Sequence, residues 1–268
     1  MNEHRTIGVF DSGVGGLSVL HHIREALPDA DLIYVADSGH VPYGDKSPVY
    51  IEARSLKLSR FLVEQGAEAL VIACNTATAV TAHILRAKYN KMPILAMEPA
   101  VKPAIAATQN QVVGVLATVG TLQSARFAAL LEKHAGSEVR IETQGCPGLV
   151  EQVERGELHG ALTRELVKRY TAPLLEKGAD TLILGCTHYP FLAPQIHEVV
   201  GKHIKLIDTG AAVARHLAHR IKTELPPRVK GDGSTVFFTS GDTKQASHTM
   251  SLLWGKEMVT QQLPKEFM

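Results

Sequence analysis

Residues 66–76 read GAEALVIACNT and residues 178–188 read GADTLILGCTH, so one pattern occurs twice, 112 positions apart. Each copy begins with a glycine that suits the end of a helix, continues as a buried apolar strand and ends at Cys74 or Cys186. In parallel α/β sheets, ligands are held at the carboxyl ends of the strands, where the following helix presents free N–H groups. The repeat therefore predicts one site with a thiol on each side.

Strands and helices alternate along the whole chain, the pattern of parallel sheets covered by helices on both faces. A second echo relates residues 7–10 (IGVF) to residues 113–116 (VGVL), although the position that matches Asp11 is Ala117. We predict an α/β fold of two similar, pseudo-symmetric domains with the active site in the cleft between them. The strand and helix after residue 222 have no counterpart in the second copy. The first domain is therefore predicted to be 1–97 plus 209–268, and the second 98–208.

The alternation of strands and helices also predicts one helix over about Leu122–His134.

The composition, with 45% hydrophobic and 21% charged residues in 268, allows a full core. A net charge of +1 gives no basic excess, so nucleic acid is not expected as the main partner. The leading residues 1–5 run straight into a strand rather than a secretory signal, and no apolar stretch reaches the length of a membrane span. A cytoplasmic protein without a membrane partner is expected.

Three cysteines occur without CxxC spacing, which indicates a reducing compartment rather than a disulfide framework. A lone cysteine at a strand end is usually a small buried hydrophobe, but the duplication of Cys74 and Cys186 favours a chemical role. A thiol beside a helix N-terminus has its thiolate favoured, which suits proton abstraction or nucleophilic attack. Cys146 lacks both the echo and the strand-end context, and we interpret it as structural.

Three further side chains could assist the thiols. Asp11 ends the first strand, where it is either a helix N-cap beside a glycine turn or a carboxylate that orients or deprotonates Cys74. His188, two residues after Cys186, is the natural counterpart on the other side. Glu154 lies on a helix that enters the second copy, and from its spacing alone it is expected to be a solvated helix residue.

Short polar side chains flank the candidate bases at the starts of helices. They are usually caps, but beside two thiols they could bind a carboxylate and an ammonium group, so a small zwitterion is the expected ligand. These residues are Ser12, Asn75, Thr76 and Thr187. No metal is expected, because the adjacent His21 and His22 do not share a helix face. No nucleotide is expected either, since Ser18 stands where GxGxxG needs its third glycine.

Five motifs occur in order along the chain: FDSGVGG (10–16), VPYG (41–44), ACNT (73–76), EPA (98–100) and LGCTHYP (184–190). In these motifs and their order the chain resembles the glutamate racemases of the aspartate/glutamate racemase superfamily. The resemblance spans about residues 6–210.

The resemblance implies interconversion of L- and D-glutamate without a cofactor, supplying D-glutamate for bacterial peptidoglycan. It implies that Cys74 and Cys186 are the two bases, with Asp11 assisting the first and with Glu154 and His188 assisting the second. The implied substrate contacts are Asp11, Ser12, Tyr43, Gly44, Asn75, Thr76, Thr187 and His188. The chain departs from the family pattern at two places: His40 replaces an arginine, and Glu151-Gln152 replace Pro-Leu ahead of Glu154.

Three alternatives stay open at this point. A related racemase could act on aspartate or a similar acid, because the motifs define the chemistry better than the side-chain pocket. A hydrolase could use Cys186 with His188, which would leave Cys74 unexplained. A binding protein without activity could hold an amino acid between paired α/β lobes. A homodimer is compatible with each of them.

Overall fold

The computed structural model describes residues 5–134, 136, 138–229, 231 and 233–268. Residues 1–4, predicted to lead into the first strand without a signal segment, lie outside the described residues. The described part of the chain contains two parallel sheets. The first contains β1 (Thr6–Asp11), β2 (Asp31–Ala36), β3 (Ala69–Ile72), β4 (Ile94–Ala96), β9 (Thr235–Thr239) and β10 (Thr260–Gln262). These strands lie in the order β10-β9-β2-β1-β3-β4.

The second sheet is smaller and repeats the centre of the first. It contains β5 (Val112–Ala117), β6 (Arg140–Gly145), β7 (Thr181–Leu184) and β8 (Lys205–Ile207). These strands lie in the order β6-β5-β7-β8. We refer to the first sheet and its helices as the first half, and to the second sheet and its helices as the second half. The predicted fold class is confirmed.

Eleven α-helices connect and cover the strands in the described residues. They are α1 (Leu17–Ala26), α2 (Pro48–Glu64), α3 (Asn75–Lys88), α4 (Val101–Ala107), α5 (Val119–Leu122), α6 (Ala125–Glu132), α7 (Leu149–Glu154), α8 (Ala161–Glu176), α9 (Ala193–Val200), α10 (Gly210–Glu224) and α11 (Thr243–Trp254). Short 3₁₀ turns occupy Tyr43–Asp45, Tyr189–Leu192 and Lys265–Phe267. No helix in the described ranges combines the length and apolarity needed to cross a membrane.

The single helix predicted over Leu122–His134 is wrong, because the segment forms α5 and α6 instead. Ser124 starts the second helix, since its hydroxyl accepts a hydrogen bond from the backbone N–H of Phe127 at 3.1 Å. The short elements α4 and β10 were not predicted. Strand β9 pairs with β2, so the C-terminal part of the chain extends the first sheet. The predicted domain boundaries at 97/98 and 208/209 stay a prediction.

The duplication is visible in the register and the packing of the central strands. Ile7 of β1 pairs with Ala69 of β3, and Val113 of β5 pairs with Thr181 of β7, so each cysteine strand lies beside the central strand of its sheet. Both central strands are buried along their whole length, as expected when helices cover both faces. The cysteine loops therefore emerge at equivalent edges of the two sheets.

Gly114 illustrates how tightly this repeated centre is packed. A methyl group there would lie 2.6 Å from Leu182 Cδ2 and 2.8 Å from Leu174 Cδ1. Gly114→Ala is therefore expected to lower the free energy of unfolding by about 1–3 kcal/mol, measured by urea denaturation. The control is Gly136→Ala, where a methyl group meets no atom of the described residues within 4 Å. It should stay within about 0.5 kcal/mol of the wild type; equal stability of the two variants would contradict the packing described.

Candidate active site

The two cysteines enter the same buried cavity from equivalent strand ends. Cys74 follows β3 and is the N-cap of α3, where its sulfur accepts a hydrogen bond from the Ala77 N–H at 3.4 Å. Cys186 follows β7 in the second half. The cavity measures about 10 Å³, room for about one water molecule. Seven further predicted site residues line it: Ser12, Tyr43, Gly44, Asn75, Thr76, Thr187 and His188.

Asp11 lies beneath the Cys74 side and is fully buried. One carboxylate oxygen accepts the Ser12 N–H at 2.7 Å, and the other accepts the Thr187 hydroxyl at 3.0 Å across the two halves. The Cys74 thiol donates to the Ser12 hydroxyl at 3.7 Å. Burial raises the pKa of the Asp11 carboxyl, against the opposing charge of His188. Asp11 is therefore a buried carboxyl group held by hydrogen bonds from both halves.

The electrostatics of Cys74 differ from the sequence-based expectation. The helix N-terminus was expected to favour the thiolate, and the Ala77 N–H does act in that direction. Burial and the nearby Asp11 carboxyl outweigh it, and the pKa of the Cys74 thiol lies well above its ordinary value. In the closed cavity Cys74 is therefore a protonated thiol.

His188 gives the opposite side of the cavity a positive charge. Its Nδ1 lies 3.7 Å from the Cys186 sulfur, and its Nε2 lies 2.6 Å from a Glu154 carboxylate oxygen. Burial alone lowers the pKa of His188, but the hydrogen bonds to Cys186 and Glu154 outweigh burial and raise that pKa well above its ordinary value. The ring is therefore an imidazolium with an N–H directed at each partner. Cys74 lies beside a carboxyl group, and Cys186 beside a cationic donor.

Glu154 is not the solvated helix residue that its spacing alone suggested. It ends α7, and its side chain is only 12% exposed. The carboxylate oxygen that faces His188 also accepts the backbone N–H of Val14 at 2.7 Å, and the other accepts the Ser38 hydroxyl at 3.3 Å. Glu154 thus joins its own half to the glycine turn of the first half.

The glycine-rich turn after Asp11 is shaped to receive these two side chains. A methyl group at Gly13 would lie 2.0 Å from a Glu154 carboxylate oxygen, and one at Gly15 would lie 2.3 Å from His188 Nδ1. Only a residue without a β-carbon allows this approach. The incomplete GxGxxG pattern therefore has a packing role: its glycines leave space for the side chains of Glu154 and His188 from the opposite half.

Sequence reasoning missed two threonines of the second half. The Thr76 hydroxyl lies 2.9 Å from the Thr118 hydroxyl and 3.2 Å from that of Thr121. Thr118 also lines the cavity. A signal for it was present, because the 106-residue offset between the two IGVF-like strands places Thr118 opposite Ser12.

The remaining candidates take the following positions. Tyr43 lines the cavity, but its hydroxyl donates to Asp37 rather than into the cavity. His40 contacts Tyr50 and does not line the cavity. Cys146 lies outside it as well, with its thiol directed to the Gln144 carbonyl at 3.3 Å. Within the part of the chain that the structure describes, no group of three or more His, Cys, Asp or Glu could hold a metal ion.

Two α/β halves that each bring a thiol into one closed cavity have the layout of a two-base isomerase. A family model described as Asp/Glu/Hydantoin racemase matches residues 7–217, and the chain belongs to this family. The resemblance drawn from the motifs is thereby confirmed.

Similar proteins extend the likeness over nearly the whole chain. Glutamate racemase from Pseudomonas aeruginosa is 56% identical over 254 residues, which cover 94% of this chain and 95% of that protein. Glutamate racemase from Methylococcus capsulatus is 52% identical over 267 residues, covering 99% and 97%. The crystal structure of Escherichia coli glutamate racemase, in complex with L-glutamate and the activator UDP-MurNAc-Ala, has a TM-score of 0.86 at 35% identity and covers 97% of both chains.

The raised pKa of His188 predicts a pH dependence of stability. The folded protein keeps a proton that the unfolded chain loses above about pH 6.5. Stability from this group is therefore complete below that pH and is lost as the pH rises toward the folded pKa, with a slope of up to about 1.4 kcal/mol per pH unit. Urea denaturation between about pH 6.5 and 8 measures this slope. An ordinary thiol titrates above that range and does not contribute to the slope. His188→Asn should lack this slope. If the free energy of unfolding fell with pH equally in the two proteins, the raised pKa of His188 would be contradicted.

Proposed function

We propose that this protein interconverts L- and D-glutamate by a cofactor-independent reaction in which Cys74 and Cys186 act on opposite faces of the α-carbon. The observation that carries the proposal is that both thiols, from duplicated strand ends, line one cavity and have unlike acid–base partners. Relatives that share more than half of the sequence are glutamate racemases. The D-glutamate formed is expected to serve peptidoglycan synthesis, the role of that family.

The two thiols have complementary roles in the proposed reaction. Removal of the α-proton of L-glutamate by Cys186 requires its thiolate form, for which the His188 ring 3.7 Å away is the cationic partner. Cys74 carries its proton in the closed cavity and delivers it to the opposite face. In the reverse direction Cys74 is the base, and the adjacent Asp11 carboxyl assists its deprotonation. The different surroundings of the two sulfurs support this direction, which the family resemblance also implies.

An α-proton of an amino acid is very weakly acidic, so the carbanion formed needs stabilisation that no cofactor supplies here. The N–H groups at the start of α3 and the hydroxyls around the cavity are the donors available for the substrate carboxylates. We assign this binding role to Ser12, Asn75, Thr76 and Thr187, with Tyr43 and Gly44 forming the wall. The buried cavity has room for about one water molecule, and this exclusion of bulk water strengthens each of these interactions.

The halves must separate to admit substrate, because the closed cavity is far smaller than an amino acid. Several hydrogen bonds cross between the halves near the site, and three of them involve residues 11–18 of the first half. The Thr187 hydroxyl donates to Asp11, the Val14 N–H donates to Glu154, and the Ser18 hydroxyl donates to the Thr187 carbonyl at 2.8 Å. Their making and breaking would accompany closing and opening, a step that often limits turnover.

Cytoplasmic location and assembly into a homodimer stay predictions. The preference for glutamate over aspartate or glutamine is tested by chiral chromatography of reactions started from each L-amino acid, without added cofactor.

Cys74→Ser and Cys186→Ser should each lower the racemisation rate by about a thousandfold or more, because a hydroxyl is far less acidic than a thiol. Circular dichroism of glutamate measures the rate in both directions. The matched control is Cys146→Ser, a buried cysteine outside the cavity, which should keep most of the activity. Substantial two-way turnover by either of the first two variants would rule out the two-thiol mechanism. Trapping of an acyl-enzyme at Cys186 would support a hydrolase instead.

In D₂O, L-glutamate turned over by this protein should give D-glutamate that carries deuterium at the α-carbon. The thiol that protonates the product is not the one that removed the proton, and it has exchanged with solvent. Mass spectrometry of the separated enantiomers early in the reaction should find much less deuterium in the remaining L-glutamate. Retention of the original hydrogen in the first D-product would indicate a single shuttling base. Absence of any exchange would indicate a protein that only binds the amino acid.

A further inference from the structure

A buried ion pair lies directly behind the Tyr43 wall of the cavity. Asp37, which follows β2, is 0% exposed, and Arg54 of α2 is 4% exposed. The guanidinium donates to both carboxylate oxygens, from Nη2 at 2.7 Å and from Nε at 3.0 Å. Neither residue lines the cavity. This two-point contact fixes the plane of the carboxylate as well as its distance.

The pair reaches the cavity through Tyr43. The Tyr43 hydroxyl donates to the Asp37 oxygen that also accepts from Arg54 Nε. Burial and the Asp37 carboxylate raise the pKa of Tyr43 well above its ordinary value, so the phenol keeps the proton it donates. Because the hydroxyl is bound to Asp37, Tyr43 faces the cavity with its ring and its backbone. The hydrogen bond to Asp37 therefore fixes the orientation of the Tyr43 side chain.

The turn that begins at Tyr43 also meets the second half. A methyl group at Gly44 would lie 3.0 Å from Thr118 Cβ, and one at Gly120 would lie 2.8 Å from the Gly44 carbonyl oxygen. A shift of Tyr43 would therefore move a surface on which the two halves close. The position of this wall matters for substrate contacts and for closure together.

The C-terminal 3₁₀ turn completes the surroundings of the guanidinium. Arg54 Nη2 donates to the Phe267 carbonyl at 2.9 Å. The Phe267 ring is buried against Phe61, with ring centroids 5.2 Å apart, and the Arg60 guanidinium lies 4.7 Å from its centre. The turn Lys265–Phe267 is thus anchored by its own packing and holds Arg54 in one orientation.

We propose that Asp37 and Arg54 are positioning residues of the active site, which hold Tyr43 and the Tyr43–Asp45 wall in the substrate-binding position, and that the Lys265–Phe267 turn holds Arg54 for this task. The inference rests on the proposed glutamate racemisation. A buried charged pair contributes little net stability compared with apolar residues of the same volume, whereas its directional hydrogen bonds define a geometry. Here that geometry ends at a cavity wall.

Arg54→Lys tests the proposal, because lysine keeps the charge but loses the two-point contact. The matched control is Arg5→Lys. Arg5 is also buried and also pairs with a carboxylate, Glu68, and with a backbone carbonyl. It lies just before β1, at the amino ends of the strands, whereas the cavity lies at their carboxyl ends. Thermal unfolding, KM, kcat and the Kd of D-glutamate from calorimetry are compared for the two variants.

Arg54→Lys should raise KM and Kd by about tenfold and change kcat by less than about threefold, as expected when substrate binding is weakened more than the chemical step. Arg5→Lys should lose a similar amount of thermal stability with KM and Kd unchanged. Equal kinetic effects of the two variants, or a loss of stability alone in Arg54→Lys, would overturn the proposal. A wild type that binds glutamate without racemising it would overturn the proposed reaction, while the Kd comparison still tests the positioning pair.

A double-mutant cycle tests whether Arg54 acts through Tyr43. In a Tyr43→Phe background, which lacks the hydroxyl, Arg54→Lys should raise KM by less than about threefold, because the connection is already broken. Phe267→Ala, which removes the packing of the C-terminal turn, should raise KM in the same direction as Arg54→Lys. If the changes in KM caused by Arg54→Lys and Tyr43→Phe multiplied in the double variant, Arg54 would not act through Tyr43. An unchanged KM in Phe267→Ala would contradict the role of the C-terminal turn.

Discussion

The buried contact between Glu154 and His188 is the interaction on which the rest of the site depends. It keeps a positive charge on a ring that burial alone would neutralise, and so it provides a cationic donor beside Cys186. The same carboxylate accepts the Val14 N–H, so the charge on the ring and the approach of the two halves are coupled. In the proposed mechanism, closure of the cleft and preparation of Cys186 are therefore one event.

A duplicated scaffold has produced two unlike chemical sides. The strand order around β1 and β5 is the same, and the cysteines occupy equivalent ends. The partner of Cys74 comes from the central strand, as Asp11, while the partner of Cys186 comes from its own loop, as His188. Where the first half has Asp11, the second has Ala117. The proposed reaction joins mirror-related molecules, but the two thiols that we assign to it lie in different electrostatic settings.

The architecture and the thiols were predictable from the sequence because both depend on local patterns. Apolar runs bounded by glycine, and helices between them, require parallel strands whose carboxyl ends share an edge. The position of Glu154 was not predictable in this way. Its helical spacing indicated solvent, but the folded chain buries its side chain against His188 and the glycine turn of the other half. The Asp37–Arg54 pair was missed because its two members come together only in the folded chain, whereas Thr118 could have been found from the 106-residue offset.

The sequence by itself determined two related halves, a cysteine at the same strand end of each, and the polar residues beside them. Only the tertiary structure decided the protonation of these groups and the direction of their hydrogen bonds. Cys74 keeps its proton because burial outweighs the helix N-terminus, and Tyr43 turns its hydroxyl away from the cavity toward Asp37. A pKa and a hydrogen bond depend on the distance and burial of groups that are far apart in the chain, and folding sets both.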